Sequence, residues 1–162
     1  LIQLYADFRA TASIDSQLVI YGKGSQEPEL RSLVKGLNLE DHVQFKGFVS
    51  QDKLVAAFQS LDIFMALSRR ESFGVAALEA QSCGVPILVT SVGGLPEVVD
   101  PESGVIVAED KPENWLHGLN QLMDKVQMKT IGDAPRNFVI ENFSHDVCVD
   151  KIIQVYEDVE RV

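Results

Sequence analysis

Cysteine is scarce in this chain: Cys83 and Cys148 are the only two in 162 residues, and their spacing suits no metal site. That excludes a disulfide framework and fits a reduced, cytoplasmic setting. Positive charge is also short, with 14 Lys and Arg against 24 Asp and Glu and a net charge of −10. A nucleic-acid partner demands clustered Lys and Arg, so none is expected. No apolar run approaches the roughly 18 residues of a membrane span, and no signal peptide is visible. Asp-x-Asp is missing from the predicted strand ends, no His/Asp/Glu group has metal spacing, and no Ser-His-Asp pattern supports a hydrolase. An initiator Met is lacking too. The chain opens in Leu1-Ile-Gln-Leu-Tyr-Ala-Asp-Phe8, a helical pattern without a preceding cap, and is read as a piece of a longer protein.

What is present suits one globular domain, with 46% hydrophobic and 23% charged residues. Short Val- and Ile-rich runs bounded by turn residues predict strands at Gln17–Tyr21, His42–Phe45, Asp62–Ala66, Val85–Thr90 and Gly104–Val107. Helical patterns lie between them at about Glu27–Leu37, Gln51–Ser60 and Gly74–Cys83, with a short one near Pro96–Val99. Three more follow, at about Pro112–Lys125, within Met128–Asn142 and at His145–Arg161. Asp110 and Glu113 predict a capping box for the first of these, and Pro135 either kinks or begins the second. Strand–helix alternation with right-handed crossovers predicts an α/β fold with a doubly wound, Rossmann-like parallel sheet, helices on both faces and a helical C-terminus. Ligands of such sheets bind at the carboxyl ends of the strands, where the glycine- and carboxylate-bearing loops converge.

Among those loops the segment Glu71-Ser-Phe-Gly-Val-Ala-Ala-Leu-Glu79 carries the most chemistry. A helix beginning near Phe73 or Gly74 aims unpaired N–H groups and its positive dipole end at the preceding turn, which suits a diphosphate. Eight residues of helix span about 12 Å, so Glu71 and Glu79 can hold hydroxyl groups at opposite ends of a ligand with a diphosphate in its middle. A nucleotide sugar has that layout. With a domain net charge of −10, the diphosphate would have to be held by local features.

At these residues the chain resembles the C-terminal, donor-binding domain of a retaining glycosyltransferase of the two-Rossmann-domain (GT-B) fold, in the group with a Glu-x7-Glu motif, glycosyl transferases group 1. Four segments carry the resemblance in order: Ile20-Tyr-Gly-Lys-Gly-Ser25, Val43-Gln-Phe-Lys-Gly-Phe-Val49, Glu71 to Glu79 with Glu79-Ala-Gln-Ser-Cys-Gly-Val-Pro86, and Val92-Gly-Gly-Leu-Pro-Glu97. The resemblance implies that Glu71 is catalytic and faces the donor hexose, favouring positive charge at the anomeric carbon. Backbone N–H groups of Phe73, Gly74 and Val75 would meet sugar and diphosphate, and Glu79 would bind the ribose. Gly47, Phe48 and Val49 would line the base, while Gly93 and Gly94 would allow close backbone approach near the phosphates. Gly22 is a further donor-binding candidate, although a plain turn explains Gly22 and Gly24 equally well. The phosphate-loop and third-glycine spacings both fail there.

The same resemblance implies a metal-independent hexosyltransferase without cofactor, whose substrate is a nucleoside-diphosphate sugar, with UDP-sugar preferred. The acceptor would be a glycan or lipid-linked saccharide in cell-surface polysaccharide biosynthesis. It would be held mainly by an N-terminal domain outside this chain, through which any membrane contact would also be made. The expected domain organisation is therefore a single nucleotide-sugar-binding domain over 1–162, inactive alone, whose acceptor domain and first strand precede Leu1. The family's diphosphate-clamping Arg and Lys would lie on that first strand. The sequence departs from the family pattern at Leu67 and His145, where a proline and an aromatic are common, with consequences expected only for packing.

Blander readings stand beside these. Glu71 also suits a helix N-terminus as a favourable acidic group, and Glu79 suits a structural ion pair. Arg69 and Arg70 could reach phosphate or acceptor, or be solvated loop arginines. His42, His117 and His145 read as packing or surface residues, and Trp115 as core. A nucleotide-sugar epimerase of the same architecture and a non-catalytic binding module are the alternative functions.

Overall fold

The computed structural model of the chain describes residues 1–108 and 111–160. Helix α1 (Ile2–Thr11) buries Ile2, Leu4, Tyr5 and Phe8 along one face. The Tyr5 hydroxyl donates to the Ser16 carbonyl at 2.6 Å, tying down the connection to strand β1 (Leu18–Tyr21). Helix α2 (Glu27–Gly36) then leads to β2 (Val43–Gly47), which pairs in parallel with β1. Helix α3 (Gln51–Gln59), β3 (Phe64–Ala66), α4 (Val75–Ser82) and β4 (Ile87–Thr90) follow. A single 3-10 turn at Leu95–Val98 stands where the sequence predicts a short helix, and β5 (Val105–Val107) comes next. β3, β4 and β5 pair in parallel, in that order.

This is the expected α/β, Rossmann-like architecture, and its two-sidedness is visible within β4. Ile87 and Val89 point into one core with Ala77 and Ala80 of α4, Phe58 of α3, and Leu95 and Val98. Leu88, between them, points into the other with Tyr5, Phe8, Val34 and the buried face of α5 (Pro112–Gln127). The period-two alternation of a strand thus divides a continuous apolar run between two helical layers. The strands form two ladders, β1–β2 and β3–β4–β5, and run parallel within each, so the carboxyl ends of each ladder's strands share an edge.

Trp115, Leu119 and Leu122 form the buried stripe of α5, as the amphipathic pattern predicts for Trp115. That helix runs two residues past the predicted Lys125. Its N-cap is Lys111 without a side-chain cap bond, and the predicted capping residue Asp110 lies outside the described residues. Pro135 begins a helix: α6 (Ala134–Phe143) carries it in its first turn. Arg136 of α6 donates to the Ser82 carbonyl at 2.7 Å, capping the end of α4. Helix α7 (His145–Glu160) packs against α6 and leaves Ile152, Tyr156 and Val159 exposed; the predicted terminus at Arg161 lies outside the described residues. No described helix is long and apolar enough to cross a membrane.

Candidate functional site

The loop from β3 to α4 carries Glu71. It is fastened to the end of β4 by the Thr90 hydroxyl, which donates to the Ser68 carbonyl at 2.7 Å. The loop ends at Gly74, the N-cap of α4, with a left-handed φ of +97°. A Cβ there would stand 2.8 Å from Leu95 Cδ2 and 3.2 Å from Val98 Cγ2, so only glycine lets this turn seat against the core. No side chain caps the helix. The N–H groups of Ala77 and Leu78 both return to the Gly74 carbonyl, at 2.9 and 3.2 Å. The amides of Val75 and Ala76 are the remaining first-turn donors, at the positive end of the dipole. Phe73 and Val75 are exposed at this tip, whereas Gly74 is buried.

Gly93, with φ +54°, lies directly against this loop. A Cβ on it would sit 1.6 Å from the Glu71 carbonyl oxygen. One on Gly94 would sit 2.9 Å from Phe73 Cα, and the Gly94 N–H donates to the Ser72 carbonyl at 3.2 Å. The two glycines therefore admit the protein's own main chain from Glu71 to Phe73. Close approach, expected here for the sake of phosphates, is used to brace the segment that carries the first carboxylate.

Across the crevice, the turns after β1 and β2 are joined by the Gly22 N–H, which donates to the Gly47 carbonyl at 2.8 Å. Gly47 closes β2 with a positive φ, and Phe48 beyond it is 74% exposed. Gly22, Phe48, Val49, Glu71 and Glu79 all line one cavity of about 1220 Å³. Gly47, Phe73, Gly74, Val75 and Gly94 are not among the residues that line it. Gly93 instead joins Arg69, Arg70, Glu71, Ser72 and Val92 around a shallower recess of about 630 Å³. Arg69 and Arg70 are exposed there.

Neither glutamate takes part in an ion pair among the described residues. The Glu71 carboxylate accepts the N–H of Ser72 at 3.0 Å, and Glu79 is half-buried, with apolar residues on either side of it in the helix. Two acceptor-only groups thus face the cavity from the two ends of a segment whose middle offers backbone donors. Such an arrangement can bind hydroxyls at both ends and an anion between them. Among the described residues no three His, Cys, Asp or Glu side chains cluster as metal ligands.

Two supporting features escaped the sequence reading. Gln81 is fully buried; its amide nitrogen donates to the carbonyls of Val98 at 2.6 Å and Ala77 at 3.3 Å, and its oxygen accepts the Asp100 N–H at 3.0 Å. It locks α4 to the segment after the 3-10 turn. Its signal was a polar residue four positions after Ala77, on the buried face of a short helix. Phe73 also meets Phe143 edge-on at 6.3 Å, linking the tip of α4 to the C-terminal helices. Nothing in the local pattern predicts that contact.

Comparison with known proteins bears on this geometry. The family described as "Glycosyl transferases group 1" matches residues 1–131. The N-acetyl-alpha-D-glucosaminyl L-malate synthase of Bacillus anthracis is 32% identical over 162 residues, 99% of this chain and 42% of that protein. A D-inositol 3-phosphate glycosyltransferase of Arthrobacter sp. (strain FB24) is 37% identical over 126 residues, 76% of this chain and 30% of that protein. Among solved structures, Anabaena HepE in complex with UDP superposes with a TM-score of 0.77 at 21% identity, covering 99% of this chain and 45% of that one. The chain spans less than half the length of these relatives.

Proposed function

The chain belongs to the glycosyl transferases group 1 family, and from that premise we propose that it is the donor-binding domain of a retaining hexosyltransferase. The donor is a nucleoside-diphosphate sugar, with uridine as the preferred base. The observation that carries this reading is the placement of Glu71 and Glu79, neither in an ion pair, on one cavity at either side of the uncapped start of α4. A diphosphate seated on the amides of Val75 and Ala76 gains a charge-assisted hydrogen bond from each. Glu79 then accepts from the ribose hydroxyls, and Glu71 from the hexose. Phe48 and Val49 offer the base a surface beside the Gly22–Gly47 bridge.

In the reaction, the bond from the anomeric carbon to the phosphate oxygen breaks as a new bond to an acceptor hydroxyl oxygen forms on the same face. The electron pair leaves with the diphosphate, which takes up the acceptor proton. The helix tip stabilises the charge that grows on the leaving group, and Glu71 favours the positive charge at the sugar carbon. No metal is required in this scheme. The acceptor, a glycan or lipid-linked saccharide of a cell-surface pathway, is gripped mainly by residues beyond this chain, and the reaction takes place in the cytoplasm. The chain alone binds donor and transfers none. The test is calorimetric titration with UDP, GDP and ADP, each with magnesium and with chelator. Preference for UDP and the same affinity in both conditions are expected. Equal affinity for all three, or binding only with magnesium, refutes the corresponding part of the reading.

A further inference from the structure

Glu71 stands between two openings, and the proposed donor occupies only one of them. The large cavity and the shallower recess of about 630 Å³ have that single residue in common. Beyond Glu71, the recess is walled by Arg69, Arg70, Ser72, Val92 and Gly93. Its two arginines play no part in the donor site.

The other described arginines are engaged. Arg9 donates to the Ser16 carbonyl at 3.2 Å, Arg31 to the Glu27 carboxylate at 2.7 Å and Arg136 to the Ser82 carbonyl at 2.7 Å. Among the described residues, Arg69 and Arg70 have neither a hydrogen-bond partner nor an ion pair. All the N–H donors of two guanidinium groups are therefore open at one rim. Glu71, next to Arg70 in the chain, turns its carboxylate to the Ser72 N–H instead. Acidic residues abound in a chain of net charge −10, yet Glu71 is the only one that borders this recess.

A solvated arginine is ordinary, but this pair is held in place. The chain bends at both residues, so neighbours that a strand would send to opposite faces border the same recess. Their backbone is pinned on either side: Thr90 holds the Ser68 carbonyl, Gly94 holds the Ser72 carbonyl, and Gly93 abuts the Glu71 carbonyl. Like charges fixed side by side repel, and an anion between them turns that repulsion into attraction.

We infer that Arg69 and Arg70 form an oxyanion subsite that reads a phosphate ester or carboxylate on the acceptor. Guanidinium forks bind the oxygens of either group in pairs, and two adjacent forks match the charge of a phosphate monoester. Position favours the acceptor over the donor. Neither arginine lines the donor cavity, and Gly22, Phe48 and Val49, at its proposed base end, do not border the recess. An anion held there meets the donor site at Glu71, the proposed hexose end, where the acceptor hydroxyl must arrive. The acceptor thus narrows from saccharides in general to acidic ones, with this chain reading the charge. The subsite stands on the arginines and the recess; its acceptor role rests on the function proposed above.

Arginine side-chain NMR and calorimetry on the full-length protein test both parts. Inorganic phosphate and malonate are titrated into the protein, free and saturated with UDP. The Nε–H resonances of Arg69 and Arg70 should move in both states. Arg69→Gln with Arg70→Gln should weaken the tighter-binding anion at least about tenfold, and leave UDP affinity within about twofold. Arg31→Gln with Lys35→Gln removes the same charge from exposed positions of α2 and should change anion affinity less than about twofold. Either anion binding the more tightly supports the subsite, phosphate pointing to a phosphorylated acceptor and malonate to a carboxylated one. Unmoved arginine resonances, or equal losses in the two double variants, overturn the subsite. Displacement of the anion by UDP gives the arginines to the donor diphosphate and overturns the acceptor role. Anion binding at Arg69 and Arg70 in a protein without affinity for UDP keeps the subsite and removes the proposed function, so the two failures are separable.

Discussion

Replacing Gly93 with alanine isolates the contact that positions Glu71, because the chain contains a matched control. Gly93 and Gly132 both have φ +54°, but a Cβ on Gly132 has nothing within 4 Å. Gly132→Ala therefore bears only the left-handed backbone cost of about 1–2 kcal/mol. Gly93→Ala bears that cost and a steric one. Its Cβ would lie 1.6 Å from the Glu71 carbonyl oxygen, whereas ordinary contact begins at 3.4 Å, so the two main chains must part by about 1.8 Å. Parting them breaks the Gly94 to Ser72 hydrogen bond, a further 0.5–1.5 kcal/mol or about 1 on average. Disturbed packing around the loop adds about 1–3 kcal/mol, giving about 2.5–6.5 kcal/mol in all. At roughly 2–4 °C per kcal/mol, Gly132→Ala should lower the melting temperature of the full-length protein by about 2–8 °C, and Gly93→Ala by about twice as much or more. Sugar transfer separates them further. Displacing Glu71 by more than 1 Å should cost roughly 100-fold in turnover, while Gly132→Ala transfers at the wild-type rate at a temperature where both variants are folded. Equal melting points and equal turnover for the two variants would refute the bracing role of Gly93.

Glu79→Ala should weaken UDP binding by about 1.5–3 kcal/mol, the range for a hydrogen bond to a charged group, read by calorimetry; an unchanged affinity removes Glu79 from the ribose. Glu71→Gln should leave UDP affinity within about twofold, roughly 0.4 kcal/mol, and depress sugar transfer by the full-length protein at least tenfold, about 1.4 kcal/mol. An equal loss of UDP and UDP-sugar affinity contradicts its placement at the hexose. Gln81→Leu should destabilise by about 2–4 kcal/mol in urea unfolding, because the fully buried Asp100 N–H and Val98 carbonyl lose their partner. A cost below about 0.5 kcal/mol, the low end for a single net hydrogen bond, shows that water replaces the amide.

The elements best read from sequence are those whose pattern is local. β4 was legible because Ile87 to Thr90 is an apolar run between Gly84-Val-Pro86 and the glycine pair, and burial on both faces is what such a run demands. The α4 boundary was legible within a residue because Gly74 and Gly84 punctuate it. The 3-10 turn at Leu95–Val98 was overread as a short helix because Pro96 suits the start of either. Pro135 left the start of α6 open, and packing against α4 decides it, with Arg136 reaching the Ser82 carbonyl. Both carboxylates were found in sequence and share one cavity in the fold. The partners of Gly93 and Gln81 were not found, since both contacts join segments whose meeting only the tertiary fold determines. The glycine pair marked a close approach correctly, but local pattern cannot say which chain approaches.

The division of the core explains why the candidate site holds its shape beside so large a cavity. The layer of α1, α2 and α5 spans both ladders, with Leu18 and Val43 from one and Leu88 and Val107 from the other in a single buried cluster. It joins the two halves of the sheet. The opposite layer, of α3, α4 and the 3-10 turn, belongs mainly to the β3–β5 ladder. Several braces of the proposed hexose and diphosphate site arise there or on β4: Leu95 and Val98 against Gly74, Thr90 on Ser68, and Gln81 on Asp100. The pair Glu71 and Glu79 is therefore positioned by one ladder and its own helical layer. Gly22, Phe48 and Val49 follow the strands of the other ladder and line the same cavity. The local geometry of Glu71 is set by Gly93, in the loop that leaves β4.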